Sequence, residues 1–183
     1  QWATKSIDID SDFGYVLMRP EVDTHVENRI FESRRAAREF QPGHDWTVMA
    51  ETLVARVGEA APEFALACAD ARDQNRQSVR SSDYAGRWAA LIFYPRDFSF
   101  VCPTELTSFS AREPDFRQRG CELLGVSVDS VELHREWLRT PSAEGGLGPL
   151  QFPLASDPDG AMARAYGVWV DQKQVSTRGL FII

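Results

Sequence analysis

Phe93-Tyr94-Pro95-Arg96-Asp97-Phe98-Ser99-Phe100-Val101-Cys102-Pro103-Thr104-Glu105 is the stretch on which the reading of this chain turns. It begins in an unbroken apolar run, residues 88–94, of the length and continuity expected for a strand buried on both faces. It ends at Pro103, a residue favoured in the first turn of a helix because its missing N–H costs nothing there. The stretch is therefore strand, loop, helix, and Cys102 falls at the helix N-terminus. Unpaired backbone N–H groups and the helix dipole at such a place favour a thiolate over a thiol. An isolated cysteine more often serves as a small core hydrophobe. Here Arg96, Asp97, Ser99, Thr104 and Glu105 crowd the same loop and turn, and they make poor core and good chemistry.

Working outward, strands and helices alternate. The pattern predicts a strand over 64–69, a polar loop over 70–77, and one long helix over 103–119 stopped by Gly120. It continues with a strand over 122–128, a helix over 130–139, a strand over 152–155, a turn at Asp157-Pro158-Asp159-Gly160 and a helix to Tyr166. A hairpin about 171–173 and a closing strand over 180–183 complete it. Such alternation implies an α/β fold, a central sheet flanked by helices. Residues 1–56 read differently, as an N-terminal helical extension. Thr24 with Glu27 forms a capping-box pattern, and Val26, Ile30, Ala37 and Phe40 recur near helical spacing until Pro42-Gly43. Asp45 opens a second amphipathic stretch with Trp46, Met49, Leu53 and Val57, closed by Gly58, so a helical hairpin is expected. The expected division is 1–56 and 57–183. The apolar residues 180–183 read as a core strand placed at a chain end, where polar surface residues are usual. The natural protein is expected to continue beyond them.

Composition narrows the function. The chain has 183 residues, 43% of them hydrophobic, enough for an ordinary core, with 27 acidic against 20 basic residues. That balance excludes a nucleic-acid partner, which needs a basic footprint. The apolar runs are too short to span a bilayer, so no membrane partner is expected. The beginning lacks the order of a signal peptide and carries Asp8, Asp10 and Asp12, so a cytoplasmic location is expected. Cys68, Cys102 and Cys121 show no close spacing, and His25, His44 and His134 are scattered. No metal site, cofactor or disulfide scaffold is read from them, and a reducing compartment suits such a set.

The spacing Pro-x-x-x-Ser-x-x-Cys, carried by Pro95, Ser99 and Cys102, resembles the active-site motif of the peroxiredoxins, and the phrase from Phe93 to Glu105 resembles that of the typical 2-Cys members. Other segments resemble the family in order. They include Val57-Gly58 with Ala61-Pro62-Glu63-Phe64, the run 120–130, and His134, Trp137 and Thr140-Pro141 ahead of Gly145-Gly146-Leu147-Gly148. Residues 178–183 follow them. The likeness covers about 57–183. It implies a thioredoxin-like fold and a thiol-dependent peroxidase acting on hydrogen peroxide and organic hydroperoxides. In that scheme Cys102 attacks the peroxide and becomes a sulfenic acid. Ser99 holds peroxide oxygen, Arg178 stabilises developing charge, Pro95 shields the thiolate, Glu105 orients an arginine and Tyr94 lines the substrate pocket. The resemblance also implies a thioredoxin or similar dithiol as reductant, and a homodimer or decameric ring. It links the glycine-rich 145–148 loop to members prone to overoxidation.

The return from sulfenic acid requires a second thiol. The helix expected over 103–119, at about 1.5 Å per residue, sets Cys121 roughly 25 Å from Cys102, whereas a disulfide needs Cα atoms within about 7 Å. Cys121 reads as a strand residue and Cys68 as a buried one. A thioredoxin-type disulfide exchanger would need Cys-x-x-Cys, and Glu105 occupies that fourth position. The other alternative is a non-catalytic or chaperone-like assembly module on the same fold.

Overall fold

A computed structural model of the chain describes residues 15–17, 54–99 and 102–183. The helical hairpin expected from about 23 to 58 lies outside these residues except at its end, where residues 54–58 are loop and turn rather than helix; ahead of it the described residues include a short strand, β1 (Tyr15–Leu17).

The centre of the fold is the strand read from the apolar run, β4 (Trp88–Phe93), paired in parallel with β5 (Cys121–Ser127), which pairs in parallel with β6 (Leu154–Ser156). On one side β2 (Ala65–Ala69) and β3 (Ser78–Arg80) extend the sheet antiparallel from β6. On the other, β9 (Gly179–Ile182) runs antiparallel to β4, and β1 lies parallel to β9. The result is a seven-stranded mixed sheet ordered β1-β9-β4-β5-β6-β2-β3, with a separate two-stranded ribbon of β7 (Trp169–Val170) and β8 (Val175–Ser176).

Alternation along β4 divides the core. Ala90, Ile92 and Tyr94 face one layer with Leu123, Leu106, Trp137 and Leu138. Ala89, Leu91 and Phe93 face the other with Val126, Met162, Tyr166 and Phe181. The first layer is closed by helices α1 (Cys102–Ala111), α2 (Glu113–Gln118) and α3 (Val131–Arg139), the second by α4 (Ala161–Ala165). Gly125 of β5 permits this packing, because a Cβ there would lie 2.6 Å from Leu154 Cδ2. Ser130 caps α3 by accepting from Leu133 N at 3.3 Å.

The sheet with helices on both sides is the thioredoxin-like arrangement expected. One helix differs from the sequence reading. The single helix over 103–119 is two, broken at Arg112, because Pro114 supplies no N–H and its ring crowds the carbonyl four residues back. The end of α1 gains a different use: buried Ser110 accepts a hydrogen bond from Gln151 N at 2.9 Å. The short strand β3 was not expected, since Val79 is its sole buried residue.

Candidate active site

β4 ends at Phe93 and releases the chain at the C-terminal edge of the parallel strands, the edge where open α/β sheets place their ligands. Because β9 is antiparallel to β4, with Gly179 opposite Phe93, the residue just before β9 arrives at this same edge. That residue is Arg178. The Ser176 hydroxyl fixes the approach by donating to Tyr94 O at 2.8 Å.

Cys102 is the first residue of α1 and is fully buried. Arg178 Nη2 donates to Cys102 Sγ at 3.5 Å, while Arg178 Nε lies 3.0 and 2.9 Å from the two carboxylate oxygens of Glu105. Glu105 stands one helical turn after Cys102, so thiol and carboxylate share a face of α1 and a single guanidinium spans both. Burial works against the charge of Arg178. The Glu105 hydrogen bond and the facing sulfur outweigh it, and the guanidinium pKa is raised. The cation is thus held in its charged form beside the sulfur.

Ser99 presents a buried hydroxyl oxygen that has no hydrogen-bond partner among the described residues. A buried hydroxyl without a partner costs about 1–3 kcal/mol, and this one borders an open cleft of about 480 Å³ lined by Phe98, Ser99, Pro103, Thr104, Thr107, Ser142, Gly145 and Gly146. The glycine-rich stretch is therefore a wall of the cleft rather than a free loop. Trp137 Nε1 donates to Gly145 O at 3.1 Å, and Leu147 N and Gly148 N donate to Trp137 O and Thr140 O. Gly146 has no room for a side chain: a Cβ there would sit 1.9 Å from Thr140 O.

Pro95 is half-buried at the head of the loop. Tyr94 stands behind the cleft rather than in its lining; it is 1% exposed and its hydroxyl donates to Asp97 Oδ1 at 2.8 Å. Sequence reasoning did not find the partners of that carboxylate. Asp97 Oδ2 lies 2.7 Å from His134 Nδ1, both side chains fully buried, and Asp97 N donates to Asp129 Oδ2 at 2.6 Å. A signal existed in the pattern of α3, where His134 shares the apolar face with Trp137 and Leu138 and so needs a buried polar partner.

The other two cysteines are remote from Cys102. Cys121 pairs with Trp88 at the opposite end of β4, so about 16 Å of strand separates it from the residues leading to Cys102. Cys68 belongs to the core layer across the sheet. Burial pushes both thiols up to about 11, and all three cysteines are free. Among the described residues no group of His, Cys, Asp and Glu is arranged to hold a metal ion.

The profile of the AhpC/TSA family matches residues 57–183. Peroxiredoxin-2 of Macaca fascicularis is 50% identical over 130 residues, which are 70% of this chain and 64% of that protein. The chain thus spans just under two thirds of the length of this relative. Among solved structures, the reduced 2-Cys peroxiredoxin of Plasmodium vivax is 34% identical with a TM-score of 0.65, covering 72% of this chain and 66% of its own. A Plasmodium yoelii Prx1a, described as forming an artifactual octamer when modified at its N-terminus, is 36% identical with a TM-score of 0.64, covering 67% and 70%.

Proposed function

Because this chain belongs to the AhpC/TSA family, as a peroxiredoxin of the typical 2-Cys kind, we propose that it is a thiol-dependent peroxidase in which Cys102 reduces hydrogen peroxide and organic hydroperoxides. The observation that carries the reading is the bridge made by Arg178 between Cys102 Sγ and the Glu105 carboxylate.

The Cys102 thiolate attacks the nearer peroxide oxygen in line with the O–O bond. An S–O bond forms, the O–O bond breaks, and its electron pair leaves with the far oxygen as hydroxide or alkoxide, which takes a proton from solvent. The sulfur is oxidised by two electrons to sulfenic acid and the peroxide is reduced. Ser99 supplies the hydroxyl for a peroxide oxygen, which accounts for leaving it unpaired in the resting site. The first-turn N–H groups of α1 and the Arg178 guanidinium face the charge that spreads over the breaking bond. Preorganised donors of this kind need no rearrangement during the reaction. Glu105 keeps Arg178 aimed, and Pro95 covers the loop side of the sulfur.

Cys121 and Cys68 stand apart from Cys102, so the sulfenic acid is returned to thiol by a thiol from a partner subunit or a thioredoxin-like dithiol. A homodimer, or a ring built from dimers, would supply the former. The free state of all three cysteines is in keeping with a reducing compartment such as the cytoplasm. The test is peroxide consumption with a dithiol reductant. Wild-type chain consumes peroxide and Cys102→Ser does not; equal consumption by both removes Cys102 from the reaction.

A further inference from the structure

The polar groups packed behind the cleft take no part in the chemistry above, yet four of them form one buried, hydrogen-bonded cluster. Tyr94, Asp97, Asp129 and His134 are each at most 9% exposed. Asp97 is their hub. It joins three elements: Tyr94 at the end of β4 through Oδ1, His134 of α3 through Oδ2, and Asp129 of the turn after β5 through its backbone N–H.

The residue that follows explains why such anchoring is needed. Phe98 has φ of 50°, in the left-handed region that a bulky side chain enters at a cost of about 1–3 kcal/mol. Phe98 stands in the turn that leads to Ser99, and both residues line the cleft. Phe98 in turn rests its ring 5.8 Å from that of Trp137, one turn beyond His134 on α3. The strained residue is thus pinned to one helix by its own ring and by the residue before it, and the same helix holds the opposite wall of the cleft through Trp137 and Gly145. Both sides of the cleft take their position from α3.

We propose that Asp97 is a positioning residue, which clamps residues 97–99 onto α3 so that the Ser99 hydroxyl and the Cys102 sulfur meet the same peroxide. This rests on the peroxidase reading above. It also specifies what the clamp requires, which is a matched donor and acceptor at each contact of residue 97. His134 faces two oxygen acceptors, Ala155 O 3.3 Å from Nε2 and Asp97 Oδ2 2.7 Å from Nδ1, so Nε2–H donates to the carbonyl and a second proton lies between Nδ1 and Oδ2. An asparagine at 97 can then accept from Tyr94 with its oxygen and donate to a neutral His134 Nδ1 with its amide. An alanine can do neither.

The experiment compares two rates at Cys102 in wild type, Asp97→Ala and Asp97→Asn. One is oxidation by a single equivalent of hydrogen peroxide, the other alkylation by iodoacetamide, which needs a reactive thiol but no aligned oxygens. Asp97→Ala is expected to slow oxidation about 10- to 100-fold, the scale of a reacting group displaced by an ångström, and to change alkylation by less than about threefold. Asp97→Asn is expected to restore oxidation to within about threefold of wild type. Equal oxidation rates in wild type and Asp97→Ala overturn the clamp while leaving the peroxidase reading intact. Parallel loss of both rates overturns it too, since that marks a general structural effect. A wild-type chain whose Cys102 does not react with peroxide overturns the peroxidase reading and the clamp with it. Should Asp97→Ala not fold, Tyr94→Phe removes only the Oδ1 bond. Its expected loss is about threefold to tenfold in oxidation with alkylation unchanged, and an unchanged oxidation rate overturns the proposal.

Discussion

Arg178 and Cys102 stand 76 residues apart in the chain, and their side chains meet with Nη2 3.5 Å from Sγ. The antiparallel pairing of β9 with β4 makes this meeting possible, and Glu105 holds the guanidinium in the required orientation. Arg178→Met is expected to lower the rate of peroxide reduction about 100- to 1000-fold, the cost of removing one aligned donor from a charged transition state. Arg178→Lys should recover little, because a single ammonium cannot span sulfur and carboxylate with the planar geometry of arginine. Glu105→Gln should cost less, about tenfold, since the arginine remains but is held by weaker bonds. Stopped-flow measurement with hydrogen peroxide ranks the three.

Ser99 should separate stability from activity. Its hydroxyl is buried and unpaired among the described residues, so Ser99→Ala removes none of their hydrogen bonds. The variant is expected to be as stable as wild type, or more stable by about 1 kcal/mol. Its rate with peroxide should nevertheless fall about 100-fold, as for loss of an aligned donor. Denaturant titration beside single-turnover oxidation checks both halves.

Much of this site could be read from the chain before any fold was known, for a physical reason. The apolar run at 88–94, Pro103 and the polar loop between them are local signals, and a strand, a loop and a helix start follow from local preferences. The break between α1 and α2 turns on Pro114, which lies within a run of helical length between two plainer signals, Pro103 at its start and Gly120 at its stop. The strand β3 has one buried residue and so no periodicity to detect. The Asp97–His134 contact joins residues 37 apart and exists only once α3 packs across the sheet. Trp137 is legible as core, but its hydrogen bond to the glycine-rich wall is a product of the fold.

Gly146→Ala should disturb the cleft more than the core. The added methyl would meet backbone, Thr140 O, rather than a side chain able to turn aside. The wall must move. Expected results are a changed selectivity between hydrogen peroxide and a bulky organic hydroperoxide, with a loss of stability of about 1–3 kcal/mol. Comparing kcat/KM for the two peroxides, with a melting curve, tests this.

Cys68 and Cys121 predict an alkaline limit to stability. Burial raises both thiols from 9.0 to about 11, so between those values the unfolded chain has released protons that the folded chain retains. Stability contributed by these groups is complete below pH 9.0 and is lost as pH rises toward 11. The slope is at most about 1.4 kcal/mol per pH unit for each thiol. Denaturant titrations from pH 8 to 11 should show a flatter decline in a Cys68→Ala, Cys121→Ala chain than in wild type.

The account depends above all on Cys102 being the atom that receives peroxide oxygen. The direct measurement is intact-protein and peptide mass analysis after one equivalent of hydrogen peroxide, with a sulfenic-acid trap present. The expected result is a trapped adduct on Cys102, formed within the mixing time of the experiment, with Cys68 and Cys121 unmodified. A trapped adduct distributed over all three cysteines, or none at Cys102, would contradict the account.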